Sequence, residues 1–467
     1  MSTPRRIILY GVIGFVGLCV LAAAVLLFLV DTEVYKARLE VAASRALGME
    51  VSVGGRLGVA VFPRLLLTLE DVHVRDQGVE VASAKEARVA VGLLPVLKRQ
   101  LRVEKIALKS PTISIETGGA AAAAATLPEL DWPNVTLSDA TINYSDKQSG
   151  DALHGAACSG DIHGLRYPGG KFSDLLKRAS FTAQLVCTEV RSDGFAVSEL
   201  ALSAEAANGV LDLKPVTTRV FGTRGTGSVH AEFSGAVPSY QVSYSLLQFP
   251  IEEFFKTRSL DKLASGRMDF SADLSMRGVG TKAIRQSMKG QVSLRGTHLT
   301  LQGSDLDQQI SRFESSQNFN LLDVGAFFFA GPLGLAVTKG YDFATIAQGQ
   351  GGSSTIRTLV SDWTVERGVA QAQDVAMATQ ENRIALQGGL DFVNDRFDGV
   401  TVAVIDAKGC ATVRQKISGT FGNPVVEQPN LLRSLTGPAR RLLRKGGELF
   451  GGAQCDVFYA GAVAAPR

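Results

Sequence analysis

The sequence predicts a mainly β protein that begins with a transmembrane helix and contains a few short helices. Three observations predict this fold. A single uncharged apolar run stands near the N-terminus, apolar and polar residues alternate along most of the remaining chain, and 49 glycines among 467 residues supply turns between short strands.

Composition limits the class of protein. Lys and Arg total 48 against 45 Asp and Glu, a net charge of +3, which argues against a nucleic-acid-binding protein. A hydrophobic content of 45% excludes disorder throughout the chain, and the length suggests two to four domains.

The N-terminal apolar run, Ile7–Val30, would span roughly 36 Å as a helix, which is enough to cross a bilayer. A cleaved signal peptide is the alternative, because Ala22–Ala24 could form a cleavage site. The apolar core of a signal peptide is usually only ~7–15 residues long, whereas here Leu26–Val30 continues the run. We therefore favour an uncleaved anchor.

Charges on either side of the run predict its orientation. Arg5 and Arg6 precede it, and Asp31 and Glu33 follow it. The positive-inside rule keeps the N-terminus in the cytoplasm and exports the rest of the chain.

Beyond the anchor, a short amphipathic helix is predicted over Glu33–Leu47, with Gly48 as its stop. The hydrophobic period then changes from 3.6 to 2, which is typical of strands with one apolar face. Composition divides the chain into a tip with anchor (1–31), an N-terminal β module (32–118), an Ala/Gly-rich linker (119–130), a β-rich middle (131–302) and a C-terminal module (303–467).

Two segments interrupt the β pattern. Ser304–Asp323 has apolar residues at helical spacing and is predicted to be a helix. Leu431–Phe450 is basic and rich in leucine, which suggests either a membrane-surface helix or a cap over the last strands, and we favour the cap.

Four cysteines lie outside the anchor, whereas Cys19 lies within it. An even number in an exported chain predicts disulfides, with three possible connectivities, and we favour pairing between neighbours in the sequence. Zinc is the alternative, but the chain has no CxxC spacing and no pair of histidines near the cysteines. The predicted pairs are Cys158–Cys187 and Cys410–Cys455.

No catalytic constellation emerges from the sequence, so we expect a protein that is not an enzyme and needs no cofactor or metal. The chain has no G-x-S-x-G and no H-E-x-x-H motif. Its histidines are scattered without metal-ligand spacing and are interpreted as surface or strand residues: His73, His154, His163, His230 and His298.

Several stretches resemble the AsmA family of bacterial envelope proteins. In the N-terminal part these are Leu65–Val74, Ala87–Leu97 and Leu101–Ile115. The C-terminal landmarks are Gly303–Asp307, Gly331–Gly334, Lys339–Phe343, Gly409–Cys410, Gly419–Pro424 and Cys455–Gly461.

The resemblance implies a periplasmic protein held in the inner membrane of a Gram-negative bacterium by one helix. AsmA-like proteins are related to bridge-like lipid-transfer proteins, so the fold implied is an elongated, curved, largely antiparallel sheet with an apolar groove. The family is linked to outer-membrane integrity, phospholipid transport and outer-membrane protein assembly. The partners implied are therefore phospholipid and envelope assembly proteins.

The clearest alternating run supplies the groove candidates, Met268, Phe270, Leu274 and Met276, which share one side of a strand. An adaptor protein built as a closed β-sandwich is the rival hypothesis, because a sandwich also has one apolar face per strand. The resemblance further implies that a Cys410–Cys455 bond ties Phe458 and Tyr459 to the strand near Val404.

The topology prediction can be tested with a reporter fused to the C-terminus. Because the charge asymmetry exports everything after Asp31, a reporter that works only outside the cytoplasm should be active. Activity of a reporter that works only in the cytoplasm would contradict the predicted orientation.

Overall fold

The computed structural model describes residues 32–60, 64–76, 78–92, 103–117, 126–147, 150–192, 195–256, 263–303, 305–316, 328, 352–427, 430–431, 455 and 457–466. The chain divides into two compact units, Met1–Thr188 (unit 1) and Glu189–Arg467 (unit 2). Among the described residues, no helix has the length and apolarity needed to cross a membrane. The predicted anchor, Ile7–Val30, lies outside the described residues, as does nearly all of Leu431–Phe450.

Unit 1 is built mainly from strands. Its elements are α1 (Thr32–Leu47), β1 (Glu50–Val53), β2 (Leu57–Ala60), β3 (Leu65–Asp76), β4 (Val79–Val91), β5 (Val103–Thr117), β6 (Thr126–Asp146), β7 (Ala152–Lys171), a 3-10 turn (Phe172–Asp174), α2 (Leu175–Arg178) and β8 (Ser180–Ser192), which crosses the unit boundary.

Unit 2 continues with β9 (Phe195–Ala207), β10 (Val210–Val220), β11 (Thr223–Glu232), β12 (Ser239–Pro250), α3 (Ile251–Lys256), β13 (Ala264–Arg277), α4 (Thr281–Ser287), β14 (Lys289–Gln302) and α5 (Leu306–Ser316). It ends with β15 (Ser353–Glu366), β16 (Val369–Ala378), β17 (Arg383–Asp391), β18 (Arg396–Ile405), β19 (Ala411–Thr420), β20 (Asn423–Val426) and β21 (Asn430–Leu431).

The mainly β fold and the short helices are confirmed. Helix α1 spans the predicted range, and Gly48 follows it with φ +68°, the left-handed conformation in which glycine commonly ends a helix. Helix α5 lies inside the predicted Ser304–Asp323 and starts with Asp305 Oδ1 accepting a hydrogen bond from the Gln308 backbone N–H at 2.9 Å. Strand β6 begins at Thr126, so the end of the predicted linker is extended and pairs with β7.

Strand pairing is largely antiparallel, as predicted. In unit 1, β3 pairs with β1, β2 and β4, and the exception is β5, which runs parallel to β6. In unit 2, each strand from β9 to β19 pairs antiparallel with the next, and β20 and β21 both pair with β19. The predicted elongation and curvature stay predictions.

Residues in the left-handed backbone conformation keep the apolar side chains of unit 1 on one face. Asp71 in β3, Ser110 in β5 and Asp139 in β6 have φ of +55°, +44° and +54°. Each of them shifts the alternation of its own strand by one position. The apolar series in β3 therefore passes from Leu69 to Val72 instead of reversing to the polar face.

The main core of unit 2 lies on one face of its strands, which we call the core face. Side chains from β10 and from β12 to β19 contribute to one continuous cluster, and Leu246, Phe270 and Leu294 are among its members. Helices α3 and α5 add Phe254 and Ile310 to the same cluster.

The opposite face of β15–β18 carries a second, smaller core that the C-terminal residues cover. Phe458 and Tyr459 pack there against small side chains, chiefly Ala376, Ala385 and Ala403. This confirms the sequence-based expectation that these aromatic residues return to the strand near Val404.

Polar contacts hold the same C-terminal residues in place. The Gln387 side-chain amide donates to the Phe458 carbonyl at 2.7 Å, and the Arg383 guanidinium donates to the Val463 carbonyl at 2.9 Å. The Asp374 carboxylate accepts from the Ala462 backbone N–H at 2.9 Å and from the Tyr459 hydroxyl. Burial is the main reason that the pKa of Tyr459 is raised, so the phenol stays protonated and keeps donating.

Both predicted disulfides are confirmed. Cys158 in β7 bonds Cys187 in β8, and Cys410 bonds Cys455, with Cα–Cα distances of 4.0 and 6.0 Å. Beside the second bond, Cys410 forms an antiparallel bridge with Val457. The Cys410–Cys455 bond therefore joins the C-terminal segment to the turn before β19.

Removing the second disulfide should loosen the C-terminal segment. In the chain-entropy model a loop of this length contributes on the order of 4 kcal/mol. The double change Cys410→Ser with Cys455→Ser should therefore speed hydrogen exchange in residues 457–466. The matched pair Cys158→Ser with Cys187→Ser should leave that segment protected, and unchanged protection in the first variant would contradict this account.

Candidate functional site

An apolar face of unit 1 begins under α1. Val51, Val53 and Leu69 are buried there, and Leu39 and Ala43 of the helix pack against them. The helix is also bonded to the sheet edge: Glu40 Oε1 accepts from the Val53 backbone N–H at 2.7 Å, and Ser44 Oγ accepts from the Val51 backbone N–H at 2.9 Å.

Past α1, an aliphatic row crosses the strands of unit 1. The registers place Leu67, Val89, Ile106, Val135 and Ile162 side by side on β3 to β7. All except Val135 are partly exposed. Strands lie about 4.8 Å apart, so the row extends roughly 19 Å across the sheet.

The face behind this row is polar. One register row on that opposite face consists of Arg88 in β4, Ala107 in β5, Thr136 in β6 and Asp161 in β7. The Thr136 hydroxyl donates a hydrogen bond to Asp161 Oδ1 at 2.9 Å. The apolar row is therefore one side of an amphipathic sheet.

In unit 2 the core face is closed over part of its area. Phe249, Phe254 and Phe255 are fully buried where α3 meets β12. Phe221 packs against Phe249 and Phe254, with ring centroids 5.6 and 5.8 Å apart. Helix α5 and Phe328 fill the same core further along the sheet.

Toward the other ends of β10–β13 the same face is only partly buried. Leu213, Val229, Val242 and Leu274 are register neighbours on four successive strands, and all are partly exposed. We call these four residues the open row. Apolar surface that remains in contact with water carries a free-energy cost of about 25 cal/mol per Å².

The sequence-predicted groove residues share this face but differ in burial. Met268 is 0% exposed and Phe270 is 7% exposed, so both belong to the closed core. Leu274 and Met276 are partly exposed and belong to the open part. Their role in lining a groove stays a prediction.

Three of the histidines pair with a polar residue directly across the sheet. The partners are Asn143 for His154, Asn134 for His163 and Asp212 for His230, at 2.6, 2.9 and 2.6 Å from the imidazole Nδ1.

The remaining two histidines lie in other surroundings. His73 lies between Glu80 and Asp71, and its hydrogen bond to Glu80 raises the pKa of His73 and lowers that of Glu80. His298 is exposed at a bulge in β14. Among the described residues, no group of three or more His, Cys, Asp or Glu side chains could hold a metal ion.

Sequence reasoning missed a polar pair that borders the open row. The Tyr244 and Thr218 hydroxyls lie 2.8 Å apart on the core face. The glycine-rich stretch Gly222–Gly227 gave a signal, since glycines in a strand leave room for a neighbouring side chain. Only the register shows that this neighbour is Tyr244.

Comparison with known proteins gives one match. Residues 1–156 match the model of the AsmA family, which confirms the resemblance seen in the N-terminal motifs. The C-terminal landmarks lie outside the matched range. No curated protein and no solved structure matches the chain significantly.

The gradient of burial along β13 predicts unequal responses to charge. Met268→Lys would bury an ammonium group without a partner, which costs several kcal/mol, so thermal unfolding should shift strongly downward. In Leu274→Lys the amine can reach water from a partly exposed site, and the shift should be small. Gln241→Lys on the exposed opposite face is the control, and equal losses for Met268→Lys and Leu274→Lys would contradict the gradient.

Proposed function

We propose that this chain, whose residues 1–156 match the AsmA family, holds phospholipid tails on the partly exposed apolar faces of its sheets and so supports outer-membrane biogenesis. The family match and a large amphipathic β-sheet fit a lipid-binding or envelope-related role. Transfer of lipid along these faces is the finer function proposed.

The open row is the observation that carries the proposal. Aliphatic side chains on four adjacent strands remain partly in water, while exposed polar residues such as Gln241 and Asp273 occupy the other face. Acyl chains laid on the row would remove this surface from water without requiring a new hydrogen bond.

The aliphatic row of unit 1 supports the same role. It lies beyond α1, which begins directly after the predicted membrane anchor. In the proposed topology, with the anchor in the inner membrane and the remainder in the periplasm, this row belongs to the part of the chain that follows the bilayer most closely in sequence.

Recruitment of envelope assembly proteins is the alternative, in which the chain is an adaptor and binds no lipid. It predicts that the apolar rows contact protein. Neither role requires a catalytic residue or a cofactor.

Site-specific photo-crosslinking in the full-length chain separates these functions. A photoreactive residue replacing Val242 on the open row should give adducts with the mass of a phospholipid, because tails would lie against it. The control position is Gln241, the preceding residue on the opposite, exposed face. Ile106 and Lys105 form an equivalent pair in unit 1.

Each outcome of the crosslinking is informative. Lipid adducts at Val242 and Ile106, with none at Gln241 and Lys105, are expected. Protein adducts in their place would favour the adaptor, and lipid adducts of equal yield on both faces would contradict binding to the apolar rows.

A further inference from the structure

We propose that Tyr244 is a stop that limits how far a lipid tail can enter the core face of unit 2, and that it thereby selects tails by length. The inference rests on the proposed function and goes beyond it by naming the residue that ends the binding surface. The route concerned runs along the strands, from the open row toward the buried part of the core.

The Tyr244 side chain crosses two strand spacings. It leaves β12 at a position that pairs with Gly227 of β11, and its hydroxyl reaches Thr218 of β10, 2.8 Å away. Thr218 in turn pairs with Gly225. The Tyr244 side chain therefore lies across β11, from its backbone on β12 to its hydroxyl beside β10. We call this side chain the bar.

The two glycines are the reason that the ring can lie there. A Cβ atom at Gly225 would overlap the Tyr244 hydroxyl, and one at Gly227 would meet the Ser243 carbonyl oxygen and lie 3.0 Å from a carbon of the ring. Any larger residue at Gly225 would displace the phenol. The strand is thus shaped to receive an aromatic ring from its neighbour, which explains the glycine spacing.

The bar separates two rows of different character. On one side is the open row, whose members Val229 and Val242 are partly exposed. On the other side the next core-face row contains Leu246, Phe270 and Leu294, and Leu246 and Leu294 are fully buried. Alternate residues of a strand are about 6.7 Å apart, so Tyr244 occupies the row between the two on β12, and Ala272 and Val292 occupy it on β13 and β14.

The hydrogen bond holds the ring in this position. Burial raises the pKa of Tyr244, so the phenol stays neutral and keeps its bond to Thr218. Behind the bar, Val220 and the cluster of Phe221, Phe249 and Phe254 fill the space. A tail that extends along the strands from the open row meets the ring before it can reach these residues.

Crosslinking with a phospholipid whose tail has a known length tests whether Tyr244 limits how far the tail enters. The full-length chain is mixed with phosphatidylethanolamine–phosphatidylglycerol vesicles that contain a phospholipid with a terminal diazirine on a palmitoyl-length tail. In the wild type the tail end should label open-row residues such as Val229 and Val242. In Tyr244→Ala it should label Leu246, Phe270 or Leu294 instead.

Two variants serve as matched controls. Tyr244→Phe keeps the ring and removes only the hydroxyl, so labelling should stay largely on the open row. Tyr240→Ala removes an equal volume from the same face of the same strand, but at the outer end, where Tyr240 packs against Phe233 with centroids 6.0 Å apart. Labelling should not move deeper in this variant.

The outcomes distinguish the stop from the proposed function. A folded Tyr244→Ala protein labelled on the open row as in the wild type would overturn the stop and leave lipid binding intact. Absence of labelling in the wild type would overturn lipid binding itself. If thermal melting shows that Tyr244→Ala does not fold, Tyr244→Leu, which keeps an apolar side chain but is too short to reach Thr218, takes its place with the same expected shift.

Discussion

A sheet with one apolar face must remove that face from water, and this constraint governs the rest of the structure. The long strands carry aliphatic residues on one side, and β15–β18 carry them on both. Each apolar side chain left exposed weakens the fold by its contact with water. Helix α1 covers part of the apolar face of unit 1, and α3 and α5 cover part of the core face of unit 2. The aliphatic row of unit 1 and the open row of unit 2 remain partly exposed among the described residues, and these are the surfaces proposed to hold lipid tails.

Unit 2 has a closed and a partly open region on the same core face. Around Phe254 and Leu294 the core face is closed and packed like the interior of an ordinary domain. Around Val242 and Leu274 it is partly open. The closed part is further braced from behind, where Phe458 and Tyr459 occupy the small-residue surface of β15–β18. A rigid closed end would let the open end remain exposed without loss of the fold.

Period-2 alternation was enough to predict the β class, the apolar face and the shared side of Met268 and Leu274. Cysteine parity and short sequence separation gave both disulfides. The difference in burial between Met268 and Leu274 could not be predicted, because it depends on α3 folding back against β13, a tertiary contact that alternation along one strand does not encode. The parallel pairing of β5 with β6 could not be predicted from the sequence either, because apolar and polar residues alternate in the same way in parallel and antiparallel strands.

The residues in the left-handed conformation left a trace in the sequence that can be read afterwards. In β3 the apolar series Leu65, Leu67, Leu69 continues at Val72, three residues on, and Asp71 takes up the extra position in the left-handed conformation. Aspartate tolerates that conformation better than most residues. The Tyr244–Gly225 contact left a weaker trace, because its meaning depends on strand register, which alternation does not determine.

Native mass spectrometry of the full-length chain, released from its detergent micelle in the gas phase, tests the central claim most directly. The account predicts protein that retains the mass of at least one phospholipid, with less retained in Val242→Lys than in Gln241→Lys. Bare wild-type protein under conditions that preserve both disulfides and the fold would contradict it, because the open row would then have no lipid to cover it.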